Sequence, residues 1–247
     1  KEAEYIIVND LKGLEKLKGS KYIDTKKNNI FNAVKDLLGQ DELVLFVGVP
    51  CIVAAMHKVV GRPDNLITCE LICHGPTLPK VHQEYVDNLE KKANSKITDF
   101  SIRYKKNYWT PPYLQAKLEN GQIFEEEFYH TEYGYAFGMM AKEVCYNCKF
   151  KGNNRTGDLM VGDYWGVTKD DKSWNEKGVS IIFAETDKGN SIIKELQTLQ
   201  RFKLFNSNFE EAVKGNPMVI KSRSKQLNYE KYKKMFTEKG LFYSYKK

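Results

Sequence analysis

Among its 247 residues this chain has no run of eighteen or more apolar residues, which excludes a transmembrane helix. The opening residues, Lys1-Glu2-Ala3-Glu4-Tyr5, lack the apolar stretch of an export signal. They also lack an initiator Met and run almost at once into a strand-like Tyr5-Ile6-Ile7-Val8, so the chain is expected to be a piece whose upstream part is missing. An even set of cysteines is lacking too: there are five. With no export signal, that count argues against a disulfide framework and for a reducing, cytoplasmic compartment. No internal repeat, low-complexity segment or nucleic-acid recognition motif is found, and the lysines are spread along the chain. Nucleic acid is therefore not an expected partner.

What is present begins with charge. The formal net charge is +7. It reads either as a lysine-rich solvated surface or as attraction to an anionic ligand such as a dinucleotide cofactor. Apolar content is ordinary, enough for a sizeable core.

The patterning predicts an α/β fold: a mixed, partly parallel sheet with flanking helices, an antiparallel hairpin insertion and a helical C-terminal region. After the strand at 5–8, Leu11, Leu14 and Leu17 recur at helical spacing up to Gly19. A second helix is expected from Ile30 to Gly39. Leu43 to Val47 is a continuous apolar run suited to a strand buried on both faces. Pro50 can open the helix that follows, up to Val60; the next strand is Leu66 to Ile72, and Val81, Tyr85 and Leu89 mark a helix over 79–93. Alternating runs at 97–104, 113–118 and 122–128, the last two joined across Asn120-Gly121, predict the antiparallel insertion. Later elements are a short helix within 131–142, a strand at 179–184, a helix at 189–200, a strand at 202–205 and helices at 208–215 and 226–239.

The cysteines carry the strongest chemical signal. Cys51 ends Gly48-Val49-Pro50-Cys51 after one predicted strand, and Cys73 opens Cys73-His74-Gly75 after the next. A parallel strand–helix–strand crossover brings the C-terminal ends of both strands to one sheet edge, where open α/β sheets bind ligands. Cys145-Tyr146-Asn147-Cys148 adds a Cys-x-x-Cys pair. Four thiolates suit a cubane iron–sulfur cluster and equally a structural zinc; unliganded thiols are the third reading. Two singleton ligands on different strand ends lean toward the cluster. Cys69, four residues before Cys73, reads as a small buried apolar residue. His74 reads as a ligand, a proton donor or a hydrogen-bond donor to a cluster sulfur, or simply as a loop histidine.

Two further segments stand out. In Arg155-Thr156-Gly157-Asp158-Leu159-Met160-Val161-Gly162-Asp163-Tyr164-Trp165-Gly166, the glycines permit close backbone approach. Tyr164 and Trp165 could stack on a planar ring, and Asp163 could accept from a ring nitrogen or ribose; the plain alternative is a strand between turns. Gly19-Ser20-Lys21-Tyr22 could present backbone N–H groups, a hydroxyl and an ammonium to phosphate, or be a helix C-cap at Gly19. It is not a P-loop.

Taken in order, Gly48-Val49-Pro50-Cys51, Leu71-Ile72-Cys73-His74-Gly75, Cys145-Tyr146-Asn147-Cys148 and the segment from Arg155 to Gly166 closely resemble the coenzyme F-420 (deazaflavin) hydrogenase/dehydrogenase beta subunit family. The resemblance implies an iron–sulfur flavoprotein oxidoreductase, with a [4Fe-4S] cluster on Cys51, Cys73, Cys145 and Cys148 and a bound FAD. It implies coenzyme F-420 or another electron acceptor, and a redox partner protein or subunit. Residues Gly19, Ser20, Lys21, Tyr22, Gly48, Pro50, Asp163, Tyr164 and Trp165 become candidates to line the flavin, and His74 a candidate catalytic group. On that basis residues 1–40 are expected to be the remnant of the family's N-terminal region. Residues 41–170 would be the cluster- and flavin-binding core, interrupted by the insertion at about 97–130, and 171–247 a C-terminal α/β extension. The chain departs from the family pattern at Ile52, where Gln is frequent, and at Lys142, where Arg is.

Overall fold

The computed structural model describes residues 2–153, 155–199 and 203–245. The elements in chain order are α1 (Leu11–Leu17), α2 (Ile30–Gly39), β1 (Val44–Gly48), α3 (Pro50–Val60), β2 (Leu66–Leu71) and α4 (Pro79–Ala93). The insertion contributes β3 (Ile97–Tyr104), β4 (Tyr113–Leu118) and β5 (Ile123–Glu127), followed by α5 (Glu132–Met139). Then come β6 (Leu159–Asp163), β7 (Ser180–Ala184), α6 (Asp187–Thr198), α7 (Phe209–Gly215), α8 (Tyr229–Lys239) and α9 (Leu241–Tyr245). The fold is α/β, as the patterning predicts.

The chain divides into two compact units, neither continuous in sequence. The first comprises Lys1–Asn28, Gly75–Tyr146 and Ser224–Lys247; the second comprises Asn29–His74 and Asn147–Arg223.

The first unit is built on the antiparallel sheet β3-β4-β5. The hairpin turns at Asn120-Gly121, where Gly121 takes a φ of +84° that a side chain would resist. Helix α4 supplies Val81 and Tyr85, which pack with Leu114, Phe128, Tyr133, Tyr229, Tyr232, Phe236 and Leu241 into an aromatic-rich core. Each large side chain so buried contributes about 1.5–3 kcal/mol. The C-terminal helices α8 and α9 belong to this unit because their tyrosines, Phe236 and Leu241 complete that core.

The second unit holds a four-stranded mixed sheet in the order β1-β2-β6-β7. Strands β1, β2 and β6 run parallel, and β7 is antiparallel to β6. Pro50 occupies the first turn of α3, where its missing N–H costs nothing. Val53 and Met56 of α3 are fully buried.

Three local expectations are corrected. Residues 5–8 form no strand: an isolated bridge is made just before them, Glu4 to Lys26, and Ile6 and Ile7 stay exposed. An apolar β-branched run becomes a strand only where a neighbour completes its ladder. Strand β1 is not buried on both faces: its burial alternates, with Phe46 buried on one face and Leu45 60% and Val47 42% exposed on the other. Residues 203–205 are irregular and exposed, and Phe202 lies outside the described residues.

Candidate functional site

The parallel register of the second unit decides which motif residues share an edge. Gly48 pairs with Glu70, and Glu70 with Met160. Three positions on from these partners lie Cys51, Cys73 and Asp163. The ends of three parallel strands thus bring Gly48, Pro50 and Cys51, then Cys73 and His74, then Asp163, Tyr164 and Trp165 to one edge of one sheet. The Ile72 N–H donates to the Val161 carbonyl at 2.8 Å, carrying the β2–β6 ladder one residue past the strand. Gly162 lets the Ile72 side chain lie against it: a Cβ there would stand 2.7 Å from Ile72 Cδ1 and make that side chain shift.

The segment that carries Cys148 is tied to this edge. The Lys151 ammonium donates to the Cys73 carbonyl at 2.6 Å and to the Met218 carbonyl at 2.5 Å. The Cys148 N–H donates to Ser222 Oγ at 2.9 Å. His74 is held neutral at pH 7: burial, then the positive charges of Lys151 and Arg223, push its pKa down to about 4.

Cys145 belongs to the first unit, in a turn of 3₁₀-helix over Glu143–Asn147. It lies against Gly75, whose φ is +87°. A Cβ at Gly75 would sit 2.9 Å from Cys145 Cβ and 3.2 Å from its Sγ, so only glycine leaves the sulfur its place. None of the five cysteines is disulfide-bonded. Cys69 is buried in mid-β2, and burial, reinforced by the neighbouring Glu70, pushes its thiol up to about 11.

Behind the edge lies a polar core that sequence reasoning missed. Glu70 is fully buried, and its Oε1 accepts from the Thr156 N–H and hydroxyl and from the Gly157 N–H at 2.9–3.1 Å. Its Oε2 faces Arg155 Nη1 at 3.6 Å, with the Arg155 side chain 3% exposed. That distance is beyond a hydrogen bond, so the pair is held by charge. The signal was available: a carboxylate inside the apolar run Leu66 to Ile72 demands a buried partner. Asp158 in turn accepts from the Thr68 N–H and hydroxyl, both at 2.8 Å, and from the Thr186 hydroxyl at 2.9 Å. These bonds anchor the start of β6.

Tyr164 and Trp165 are half-buried at the edge. The Tyr164 hydroxyl is paired with Ser207 Oγ at 2.5 Å. The Trp165 carbonyl lies where only a glycine, Gly215, can pass: a Cβ on Gly215 would fall 1.6 Å from that oxygen.

Gly19, Ser20, Lys21 and Tyr22 lie in the first unit. The Lys21 ammonium donates to the carbonyls of Lys18 at 2.7 Å, Gly19 at 3.0 Å and Leu17 at 3.4 Å, which is how a lysine satisfies the end of a helix. Burial lowers its pKa. The Tyr22 ring packs on Phe137 and Phe128, with centroids at 4.7 and 5.6 Å.

Among the described residues no group of three or more His, Cys, Asp or Glu side chains stands arranged around a single metal position, and no helix is long and apolar enough to cross a membrane. Within the second unit the thiols of Cys51 and Cys73 at the sheet edge, and of Cys148 on the segment tied to it, nevertheless have the chemistry for a metal group, since thiols are what both iron–sulfur clusters and structural zinc take.

No curated protein matches the chain. The family model for the C terminus of the coenzyme F420 hydrogenase/dehydrogenase beta subunit matches residues 41–208. That span holds all four motif cysteines and the segment from Arg155 to Gly166, and leaves out residues 19–22 and everything after 208.

Proposed function

Since this chain belongs to the coenzyme F420 hydrogenase/dehydrogenase beta-subunit family, we propose that it is an oxidoreductase subunit passing electrons between a [4Fe-4S] cluster, FAD, and coenzyme F420 or another acceptor. It would work in a reducing, cytoplasmic compartment and exchange electrons with a partner redox protein. The cluster ligands would be Cys51, Cys73, Cys145 and Cys148. A cluster of this kind supplies single electrons, and a flavin joins them into a two-electron equivalent.

The observation that carries the reading is the shared edge of three parallel strands, which collects Cys51, Cys73 with His74, and Asp163 to Trp165. In that arrangement the chain's own groups have distinct work. Gly48 and Pro50 set the turn that exposes Cys51 at the start of α3. His74, neutral at pH 7, can donate one hydrogen bond and accept another, which suits a group that guides a proton. The half-buried rings of Tyr164 and Trp165 offer a flat apolar surface to an isoalloxazine, and Asp163 an acceptor beside it. Gly19 to Tyr22 enter the reading as backbone donors to the cofactor's phosphates, because the Lys21 ammonium is spent on the end of α1. The net charge of +7 favours anionic cofactors generally.

The test is anaerobic purification with iron, zinc and flavin counted on one sample. About four irons per chain with visible cluster absorption supports the ligand set, and Cys148→Ala should abolish that absorption while Cys69→Ala leaves it intact. About one zinc per chain and a colourless sample would overturn the redox reading in favour of a structural metal.

A further inference from the structure

We propose that Lys151 is a positioning residue for the cysteine site and sets the charge around it, working through a C-terminal turn that lies outside the family match. The proposal rests on the cluster reading above and extends it to residues that reading does not use.

The Lys151 ammonium joins three separate segments of the second unit. It arises from the strap after Cys148, and it grips the Cys73 carbonyl at the exit of β2 and the Met218 carbonyl in the 3₁₀ turn Pro217–Val219. The same turn is fastened to the strap twice more. The Gly152 N–H donates to the Val219 carbonyl at 3.0 Å, and Arg155 Nη2 donates to that same carbonyl. Three residues further on, Ser222 Oγ receives the Cys148 N–H. Val219 is 1% exposed and Asn216 3%, so the turn is seated in the fold and not a passing loop.

A lysine bridging two carbonyls in a half-buried place gives up hydration for charge-assisted bonds, which are shorter and stronger than neutral ones. The clasp has two consequences. It fixes the backbone of Cys73 relative to the strap bearing Cys148, so that two thiols from distant sequence are held in register before any metal arrives; preorganisation of this kind is what makes ligand sites selective. It also keeps a positive charge beside Cys73. Reducing a cluster adds negative charge, so a neighbouring cation favours the reduced form and raises the potential.

The experiment compares wild type, Lys151→Met, Lys151→Arg and Ser222→Ala, each as the full chain. In the metal-free proteins, amide hydrogen exchange is followed around Cys73 and around Cys148. Lys151→Met is expected to speed exchange at both places by about tenfold, the equivalent of one lost charge-assisted bond. Lys151→Arg should restore protection at least in part, and Ser222→Ala should loosen Cys148 alone. In the reconstituted proteins, Lys151→Met is expected to lower the cluster's midpoint potential, and Lys151→Arg to return it, a pattern that a merely structural role would not produce. Unchanged exchange in Lys151→Met overturns the clasp, and a wild-type potential in a loaded Lys151→Met overturns the charge role. If wild type takes up no iron, the cluster reading falls, and the exchange data from the metal-free chains decide the clasp without it.

Discussion

Replacing Glu70 by Gln should be among the most damaging near-isosteric changes in this chain. The carboxylate is fully buried, and Arg155 opposite it has a side chain only 3% exposed. The amide keeps the shape and one oxygen for the Thr156 and Gly157 donors, but it removes the charge that balances the guanidinium at 3.6 Å. Breaking a buried pair by neutralising one partner costs about 3–5 kcal/mol, because the other charge is left uncompensated. Total stabilities of domains are about 5–15 kcal/mol, so this is a large share. With a urea m-value of about 3 kcal/mol/M the midpoint should fall by about 1–1.7 M. Arg155→Met in the Glu70→Gln background removes the stranded charge and should recover part of that loss, although the bond from Arg155 to the Val219 carbonyl goes with it. The assay is urea unfolding followed by circular dichroism for both singles and the double, with the coupling energy read from the cycle. A Glu70→Gln midpoint within about 0.3 M of wild type, or a double variant no more stable than Glu70→Gln alone, would refute the reasoning. Because Glu70 stands three residues before Cys73, the same variant should also speed alkylation of Cys73 in the metal-free chain.

Three other outcomes follow from the geometry. Thr68→Val should cost about 1–3 kcal/mol, since it strips a hydroxyl donor from the buried Asp158 carboxylate and leaves the Asp158 N–H only the Thr68 carbonyl of its two acceptors. Burial works to raise the Asp158 pKa, but the bonds from Thr68 and Thr186, helped by Lys188, prevail and hold it below the usual range. Its contribution to stability is therefore full above the ordinary aspartate value of about 3.9 and is lost as pH falls through the lower folded value; in Thr68→Val the loss should begin at higher pH, seen in thermal melts taken between neutral and acid pH. Gly75→Ala should displace Cys145, which its Cβ would meet at 2.9 Å from a backbone with φ of +87°; the check is a changed alkylation rate at Cys145 in the metal-free chain and lower iron uptake, with unchanged values for both refuting it. Cys69, buried and with its thiol pushed up to about 11, should be the slowest of the five cysteines to alkylate at mildly alkaline pH, and finding it among the fastest would contradict its placement.

By itself the sequence determined most local elements and the edge at which they meet. Apolar periodicity placed α2, α3, α4 and the parallel pair β1–β2, because each pattern has only one geometry that buries it. Asn120-Gly121 placed the hairpin, since few residues accept a positive φ. The position of Cys51 and Cys73 at one sheet edge followed from the strand–helix–strand pattern, because strands joined by a crossover run parallel and end at the same edge. Other features depended on partners far along the chain. Tyr5 to Val8 have strand composition but no strand to complete their ladder. Leu45 and Val47 are apolar yet exposed, because they share the face of β1 that the described residues leave uncovered while Phe46 points to the core. Lys21, which local chemistry offers equally to a phosphate or a helix end, went to the helix end. The division into two interleaved units, the pairing of Glu70 with Arg155 across 85 positions, and the lysine that joins Cys73 to Met218 were decided only by tertiary structure. Burial makes such charged groups find partners, but which partner is nearest is a property of the packed chain and has no local pattern to announce it.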